Sequence, residues 1–263
     1  MLNITTLTLE KPTNDSFHLH NHDDYEIYLF LEGDTKYIIE GVTYNLEPYD
    51  IIIIRKHQMH RAFHNSSERY SRIVINVPPE FFSEHNCEEY ERQFLNSKAG
   101  NKIDAEVVLS SGIYDVFLRM KKYSDNFKNT RSPIVASLVI ELLYLINNIK
   151  DFSGEDNQNG QLKDIVRYIN SNYTDNITLD MLQKKFFMSK YHICYIFKKG
   201  TGLTVHQYIT RKRITLVREL EKEGKSISEA ASIAGCSSYS SFYRAYVKEY
   251  GCSPRNDIKN EME

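Results

Sequence analysis

The chain has 263 residues, of which 41% are hydrophobic and 26% are charged, values typical of a globular protein long enough for two domains. The N-terminal stretch lacks the basic start and apolar core of a signal peptide, and the longest apolar segment, Ile134 to Ile149, is too short to cross a bilayer. The four cysteines have no CxxC spacing, which argues against a disulfide framework or a cysteine zinc site and leads us to expect a cytoplasmic protein.

The net charge of −2 hides an asymmetry between the two halves of the chain. Residues 161–263 carry a formal charge of +6, whereas the remaining residues carry −8. A basic segment joined to an acidic one indicates that only the C-terminal part meets a polyanion such as nucleic acid.

The first pattern in chain order is β-rich and predicts a domain over residues 1–80. Between residues 17 and 77, turn residues separate short runs of β-branched and aromatic residues: YEIYLFLEG, KYIIEG, DIIIIR and SRIVINV. Residues 81–150 have helical periodicity instead, and their last helix, which begins near Pro133, carries a broad apolar face. That face predicts either packing on the β-rich domain or the seam of a dimer, and both alternatives remain open.

A polar segment, DFSGEDNQNG at residues 151–160, is predicted to be the linker to a helical domain over residues 161–263. Helix starts are signalled there by N-cap residues: Thr178, Ser189, and either Ser237 or Ser238. Ser226 with Glu229 three residues later predicts a capping box. A long helix from Val205 is predicted to stop at Gly224.

The helical domain contains an internal repeat. Shifting residues 189–204 by 49 positions aligns Ser189 with Ser238, and the same shift aligns Phe197 with Tyr246. Each copy predicts a short capped helix, a tight turn and a second capped helix, which is a helix-turn-helix. The long helix would join the two units so that both second helices enter adjacent major grooves, about 34 Å apart on one face of DNA.

The helical domain resembles a domain of a known protein family. Residues 161–259 are similar to the DNA-binding domain of the AraC/XylS transcription regulators, and the positions that carry the resemblance agree in register: Ser189, Phe197, Lys198, Lys199, Gly202, Tyr208, Arg213, ISEAASIAG at 227–235, Ser241, Phe242, Gly251, Ser253 and Pro254. The chain departs from the family pattern at Gln183, Phe187, Cys236 and Lys259. The first two departures predict a bulkier first turn and a slightly altered angle of the first reading helix.

The resemblance implies which side chains meet DNA. On the exposed faces of the two reading helices, the base-reading residues would be Lys190, Tyr191, Cys194, Tyr195, Tyr239, Ser240, Tyr243 and Arg244. Arginine recognises guanine with two hydrogen bonds, so Arg244 is the first candidate for a base contact. The phosphate-binding residues would be Lys198, Lys199 and Arg211.

The β-rich half resembles the cupin barrel, the common sensory partner in this family. His20, His22 and Glu26 match its first motif, and His60 matches the histidine of its second motif. Cupin enzymes hold a divalent metal with these residue types, which makes a metal-dependent enzyme an alternative. Against a metal, Tyr49-Asp50 replaces the usual glycine step and Arg55-Lys56 would bring cations close to the ion. We therefore expect no metal and no cofactor, with these residues hydrogen-bonded within the barrel.

A pocket for a small molecule is the expected use of the barrel. Its predicted lining residues are His20, His22, Glu26, Tyr28, Phe30, Tyr37, Arg55 and His60. Positive charge near the pocket indicates an anionic effector; the cations are Arg55, Lys56 and Arg61. The surface or rim is the expected location of His18, His57 and His64.

The sequence thus predicts an α+β protein with two domains: a cupin-like β-barrel with trailing helices, then an all-α domain of two helix-turn-helix units joined by a long helix. Its predicted function is a bacterial DNA-binding transcription regulator, an activator and not an enzyme. The barrel would sense a small effector or mediate dimerisation, and a regulator that responds to no ligand is a further alternative. Expected partners are double-stranded DNA, RNA polymerase and a second copy of the chain, with no membrane.

Overall fold

The computed structural model describes residues 2–14, 17–95, 100–129, 132–149 and 160–254. The chain divides into two compact units, residues 1–159 and residues 160–263. The predicted linker lies outside the described residues except for Gly160, which begins a helix of the second unit. Within the ranges given above, no helix is both long and apolar enough to span a membrane.

The described part of the first unit contains eight strands in two antiparallel sheets. The strands are β1 (Asn3–Leu9), β2 (Tyr25–Glu32), β3 (Thr35–Ile39), β4 (Val42–Asn45), β5 (Ile51–Ile54), β6 (His60–His64), β7 (Tyr70–Val77) and β8 (Lys102–Ile103). One sheet has the order β1-β7-β2-β5-β8 and the other β4-β3-β6. Aromatic and aliphatic side chains from both sheets meet in one buried cluster, so the sheets enclose a common interior as expected for a cupin-like barrel.

The central strands β2 and β5 of the larger sheet are buried on both faces. In β2, Tyr28 and Phe30 join the cluster inside the barrel, whereas Ile27 and Leu29 belong to a second cluster beneath the helices. Strand residues alternate between the two faces of a sheet, and here both faces are apolar because both are covered. The continuous apolar run of β2 and the four isoleucines of β5 follow from this double burial.

Helices cover the outer face of this sheet: α1 (Glu80–Glu84), a 3₁₀ turn (Glu88–Glu91), α2 (Arg92–Leu95), α3 (Ala105–Ser110), α4 (Ile113–Tyr123) and α5 (Pro133–Asn147). The apolar face of α5 packs on the sheet through Val135, Val139 and Leu142, each fully buried. Of the two alternatives for this face, packing on the β-rich domain is therefore the one the structure shows. Ile134 at its start is still 44% exposed.

The second unit is entirely helical where it is described. Its helices are α6 (Gly160–Asn172), α7 (Leu179–Phe186), α8 (Lys190–Thr201), α9 (Val205–Lys222), α10 (Ile227–Ile233) and α11 (Tyr239–Tyr250). The helix-turn-helix pairs are α7–α8 and α10–α11, and α9 is the long connecting helix. The helix α9 ends before Gly224, as predicted.

Side-chain caps begin these helices at the predicted positions. Thr178, Ser189 and Ser238 each accept a hydrogen bond from the backbone N–H three residues later. Ser226 does the same for Glu229, but the full capping box with its reciprocal bond is found at Thr204 and Gln207 instead. A serine or threonine cap of this kind contributes about 1 kcal/mol.

Two glycines mark close backbone approaches in the second unit. A Cβ on Gly200, inside α8, would lie 2.1 Å from Leu162 Cδ2 on α6. A Cβ on Gly235, after α10, would lie 1.9 Å from the carbonyl oxygen of Thr174, and Gly235 also has a φ of +77°. The loop that contains Thr174 is held from α9 as well, because Arg213 donates to the carbonyls of Tyr173 and Asp175 at 2.7 and 2.8 Å.

Candidate functional site

The two reading helices expose every side chain predicted to read bases. On α8, Tyr191 is 81% exposed and Tyr195 53%, and Lys190 and Cys194 are exposed as well. On α11, Tyr239 is 49% exposed and Tyr243 40%, again with Ser240 and Arg244 exposed. The opposite face of each helix is buried, through Ile193 and Phe197 on α8 and through Phe242 and Tyr246 on α11. The reading roles remain predictions.

Some of these exposed side chains are held in place by neighbours. Lys190 Nζ lies 2.6 Å from Asp180 Oδ1, an ion pair that joins the first turns of α8 and α7. The hydrogen bond from Lys190 holds the pKa of Asp180 below its usual value. Lys199 Nζ lies 5.8 Å from the ring centroid of Tyr195. The guanidinium of Arg244 donates from Nε to the carbonyl of Ser240 at 3.4 Å.

The predicted phosphate-binding cations differ in exposure. Lys198 and Lys199 are exposed in the last turn of α8, and Arg211 is half-buried on α9. Arg213, which the sequence places beside them, instead binds the carbonyls of the loop after α6. The guanidinium of Arg213 therefore holds the loop after α6 against α9.

The turn of the first helix-turn-helix contains an unusual residue. Phe187 follows α7 with a φ of +53°, a left-handed conformation that a bulky side chain adopts at a cost of about 1 kcal/mol. Its side chain is 95% exposed. The sequence departure at this position is thus accommodated by the backbone without burial of the ring.

The first unit contains a cavity of about 240 Å³ between its two sheets. Its wall contains these residues: Thr5, Phe17, His18, His20, His22, Glu26, Tyr28, Tyr37, Arg61, Ala62, Tyr70, Arg72, Val74 and Asn76. Five of the eight residues predicted to line an effector pocket border it: His20, His22, Glu26, Tyr28 and Tyr37. The volume suits a small metabolite, because it is below the range of drug-sized pockets.

Three predicted lining residues lie elsewhere. Phe30 is fully buried in the core of the barrel. Arg55 donates from Nη2 to the carbonyl of Gly100 at 3.3 Å, away from the cavity wall. His60 does not border the cavity and belongs to a cluster with His20 and His22. His64 was expected at the surface or rim, which is wrong: it is 4% exposed and packs between the rings of Phe17 and Tyr70.

Two arginines bring positive charge to the cavity. Arg61 Nε and Arg72 Nη1 are buried nitrogen atoms with no hydrogen-bond partner among the described residues. Burial lowers the pKa of Arg61 from its ordinary value. A buried N–H without a partner costs free energy, so both groups favour an acceptor inside the cavity.

Hydrogen-bonded tyrosines also contribute to the polar wall of the cavity. The hydroxyls of Tyr28 and Tyr70 lie 2.8 Å apart, and Tyr37 donates to Glu26 Oε1 at 3.2 Å. Burial raises the pKa of Tyr70 to about 12 and that of Tyr28 and Tyr37 well above the usual value. All three remain protonated donors at neutral pH.

Three histidines and one glutamate meet beside this wall. The backbones of His20 and His60 pair with each other, with N···O distances of 3.1 and 2.9 Å, which brings their side chains together. One ligand atom from each of His20, His22 and His60 lies within 4.8 Å of the other two. His22 Nε2 is 3.0 Å and His60 Nε2 is 3.8 Å from Glu26 Oε2.

The cluster fixes the charge of Glu26. Burial alone would raise its pKa, but the hydrogen bond with His22 and the charges of the three histidines outweigh that effect and lower the pKa to about 2. His60 is fully buried, which lowers its pKa to about 4 despite the attraction of Glu26. At neutral pH a buried carboxylate therefore faces a neutral imidazole.

Arg72 is a charged cavity residue that the sequence pattern did not identify. It lies on β7, where Tyr70, Val74 and Asn76 also border the cavity. Side chains two apart on a strand point to the same face, so the spacing of Arg72 from Tyr70 and Val74 predicts that all three face the cavity. The signal is weak in SRIVINV because both faces of this strand carry apolar residues.

Two known domain families match the sequence. Residues 6–115 match the family described as an AraC-like ligand binding domain, and residues 182–260 match a family described as a helix-turn-helix domain. The two matches fall one in each compact unit.

Similar proteins match over almost the whole chain. The probable transcriptional regulator LumQ of Photobacterium leiognathi is 26% identical over 257 residues, which cover 96% of this chain and 97% of LumQ. The uncharacterised HTH-type transcriptional regulator YdiP of Escherichia coli (strain K12) is 24% identical, with 92% and 82% covered. The HTH-type transcriptional activator RhaS of Enterobacter sp. (strain 638) is 21% identical, with 91% and 87% covered.

Proposed function

We propose that α8 and α11 of this chain, which belongs to the AraC/XylS family of sequence-specific DNA-binding transcription regulators, read DNA. We further propose that the barrel cavity of its N-terminal ligand-binding domain binds a small anionic effector. Binding of the effector would bias the protein between arrangements that differ in DNA affinity. The observation that carries the DNA-reading part is the exposure of all eight predicted base-reading side chains on two serine-capped helices.

The cations at the end of α8 give this proposal a measurable consequence. Each phosphate contact releases counterions, so the affinity for DNA falls with salt in proportion to the number of contacts. Lys198 and Lys199 are exposed, and each is expected to neutralise one phosphate.

The test is the affinity of the full-length protein for a duplex selected from random DNA, measured at several salt concentrations. Replacing both Lys198 and Lys199 by Gln should reduce the slope of log affinity against log salt by about two units. Lys121→Gln, at an exposed position on α4, is the matched control and should leave the slope unchanged. An unchanged slope in the double variant would remove these lysines from the interface.

The anionic character of the effector rests on Arg61 and Arg72. Both border the cavity and both contribute a buried N–H group with no partner among the described residues. Guanidinium groups bind carboxylate and phosphate through paired hydrogen bonds. The tyrosine hydroxyls on the same wall would bind further polar groups of the effector.

Thermal unfolding of the full-length protein with a panel of small metabolites tests the effector proposal. Carboxylates or phosphate esters should raise the melting temperature, because a ligand that binds only the folded state stabilises it. Arg72→Gln should abolish the shift. Arg69→Gln, which removes exposed ion pairs to Glu10 and Glu32, should keep it. A shift with uncharged compounds alone would contradict the anionic class.

We also propose that the protein acts in the cytoplasm as a homodimer that contacts RNA polymerase and activates transcription, without enzymatic activity. The similar protein RhaS is a transcriptional activator, which supports activation as the direction of regulation. Exposed apolar side chains on α4 and α5, Leu118 at 47% and Ile134 at 44%, support a dimer. Light scattering gives the mass in solution, and a reporter gene gives the sign of regulation.

A further inference from the structure

We propose that the exposed tyrosines of the two reading helices recognise the methyl group of thymine, so that both half-sites of the DNA target are rich in thymine. The tyrosines are Tyr191 and Tyr195 on α8 and Tyr239 and Tyr243 on α11. This recognition rests on the proposed function, because it specifies the bases that α8 and α11 read. In the major groove the methyl group sets thymine apart from the other bases, and proteins recognise it by apolar contact.

Apolar surface is concentrated on the two reading faces. Most of the large apolar side chains exposed in the described part of the second unit are these four tyrosines, and Tyr191 is the most exposed of them at 81%. Residues four apart lie on one face of a helix, so each pair forms a single aromatic surface. The ring centroids of Tyr239 and Tyr243 are 6.3 Å apart. Exposed apolar surface gathered in this way marks a binding surface.

The other side chains on these faces offer little for the recognition of purines. Arginine or lysine recognises guanine and asparagine or glutamine recognises adenine, in the favoured cases with two hydrogen bonds. None of the eight predicted base-reading residues is asparagine or glutamine. Lys190 lies in an ion pair 2.6 Å from Asp180, and Arg244 is the one arginine among the eight. Apolar contacts with thymine therefore carry most of the discrimination between bases.

The two tyrosine pairs do not follow the internal repeat. The shift of 49 residues aligns Tyr191 with Ser240 and Tyr195 with Arg244, so the pairs are offset by one residue between the two helices. One residue corresponds to a rotation of about 100° around a helix. Because the repeat does not account for the pairs, each reading helix has its own requirement for an aromatic surface. The methyl groups that are read should then lie at different positions in the two half-sites.

The spacing within each pair matches the spacing of bases. Residues four apart are about 6 Å apart along a helix axis, and successive bases of a strand are about 3.4 Å apart along the DNA axis. Where the reading helix lies along the major groove, the two rings of a pair reach thymines about two base pairs apart. This spacing is the pattern expected in DNA selected by the protein.

Replacement of thymine by deoxyuridine provides the test, because it removes only the methyl group and keeps the base pair and the phosphate. The affinity of the full-length protein is measured for the duplex selected from random DNA, with each thymine replaced in turn. We expect a loss of about fourfold at one or more thymines in each half-site, the value for burial of one methyl group. Replacement of a thymine outside the half-sites is the matched control and should leave the affinity unchanged.

Protein variants assign a methyl group to a ring. Tyr195→Ala should bind the selected duplex more weakly and should no longer respond to one of the replacements that the natural protein detects. Tyr195→Phe keeps the ring and should keep that response, whereas its loss in this variant would assign the contact to the hydroxyl group and overturn methyl recognition by Tyr195. Tyr123→Ala, at an exposed position on α4, is the control and should respond like the natural protein.

Two results would overturn methyl recognition while leaving the proposed function intact. One is specific binding that no deoxyuridine replacement weakens, and the other is a selected duplex without thymine in its half-sites. A protein that does not prefer its selected duplex to random DNA would overturn both proposals.

Discussion

The two helix-turn-helix units share one framework but differ in the chemistry they present. In both, a serine caps the reading helix and a left-handed glycine ends it: Ser189 and Gly202 for α8, Ser238 and Gly251 for α11. The exposed positions related by the shift of 49 residues carry different side chains: Tyr195 of the first helix-turn-helix corresponds to Arg244 of the second. The same frame therefore offers two different reading faces, which predicts two unlike half-sites in the DNA.

The turns within the two helix-turn-helix pairs also differ. Both pass through a left-handed residue, Phe187 at φ +53° in the first and Gly235 at φ +77° in the second. The glycine is pressed against the backbone of Thr174, whereas the phenylalanine ring is almost entirely in solvent. Tight packing thus requires glycine in the second turn, and open space permits a bulky residue in the first.

Substitution of Gly235 should give the largest effect. Gly235→Ala places a Cβ 1.9 Å from the Thr174 carbonyl oxygen in a strained conformation. The left-handed strain and the overpacking together should destabilise the second unit by about 3 kcal/mol, measured by chemical denaturation of the full-length protein. Gly251→Ala has a similar φ of +73° with no atom within 4 Å, and should cost only about 1 kcal/mol. Equal losses in both variants would show that the contact with Thr174 contributes nothing.

Exchange of the corresponding reading residues should give the next largest effect. Arg244→Ala should weaken binding to the selected duplex by about 1–3 kcal/mol and relax the preference at one base pair. Arg244→Lys keeps the charge but loses the paired hydrogen bonds, so it should lose the same preference while retaining part of the affinity. Tyr195→Ala should affect a different half-site. Equal weakening on selected and random DNA would reduce Arg244 to a phosphate contact.

A smaller effect of opposite sign is expected at the first turn. Phe187→Gly relieves the left-handed strain, and because the ring is 95% exposed little packing is lost. The second unit should gain about 0.5–1 kcal/mol of stability. A loss of stability would show that the ring makes a stabilising contact. Weaker DNA binding by a stabilised variant would instead assign the exposed ring to the interface.

The smallest effect concerns the ion pair between α7 and α8. Asp180→Asn removes the partner of Lys190 and leaves the lysine available for a phosphate or a base. The slope of log affinity against log salt should become steeper by up to about one unit. Lys190→Gln in the Asp180→Asn background should reverse the change. An unaltered slope would place Lys190 outside the interface.

Local signals explain why the helical unit was predictable. The predicted caps at Thr178, Ser189 and Ser238 depend only on neighbouring residues, and the structure has them. The repeat of 49 residues is visible directly in the order of the residues. The contact between Gly235 and Thr174 joins residues about 60 apart, so no local pattern identifies Thr174 as the neighbour of this glycine. The predicted capping box at Ser226 is only half formed, since the return bond depends on the rotamer of Glu229.

The barrel was harder to predict in detail. Strands buried on both faces show no alternation, so the sequence could not decide whether Phe30 or Arg72 borders the cavity. Tyr49-Asp50 stands where the cupin motif usually has a glycine step. Tyr49 nevertheless adopts a φ of +77°, and its ring packs against Tyr114 with centroids 4.9 Å apart. A tertiary contact here supports a backbone conformation that the residue type alone disfavours.

We propose that both reading helices bind one face of a single DNA site at the same time. The most direct test inserts about five base pairs, half a helical turn, between the two half-sites of the selected duplex. We expect the affinity to fall by about 100-fold or more, because only one helix-turn-helix can then bind at a time. A full-turn insertion should also be bound poorly, because α9 has a fixed length. An affinity unchanged by the half-turn insertion would contradict the claim.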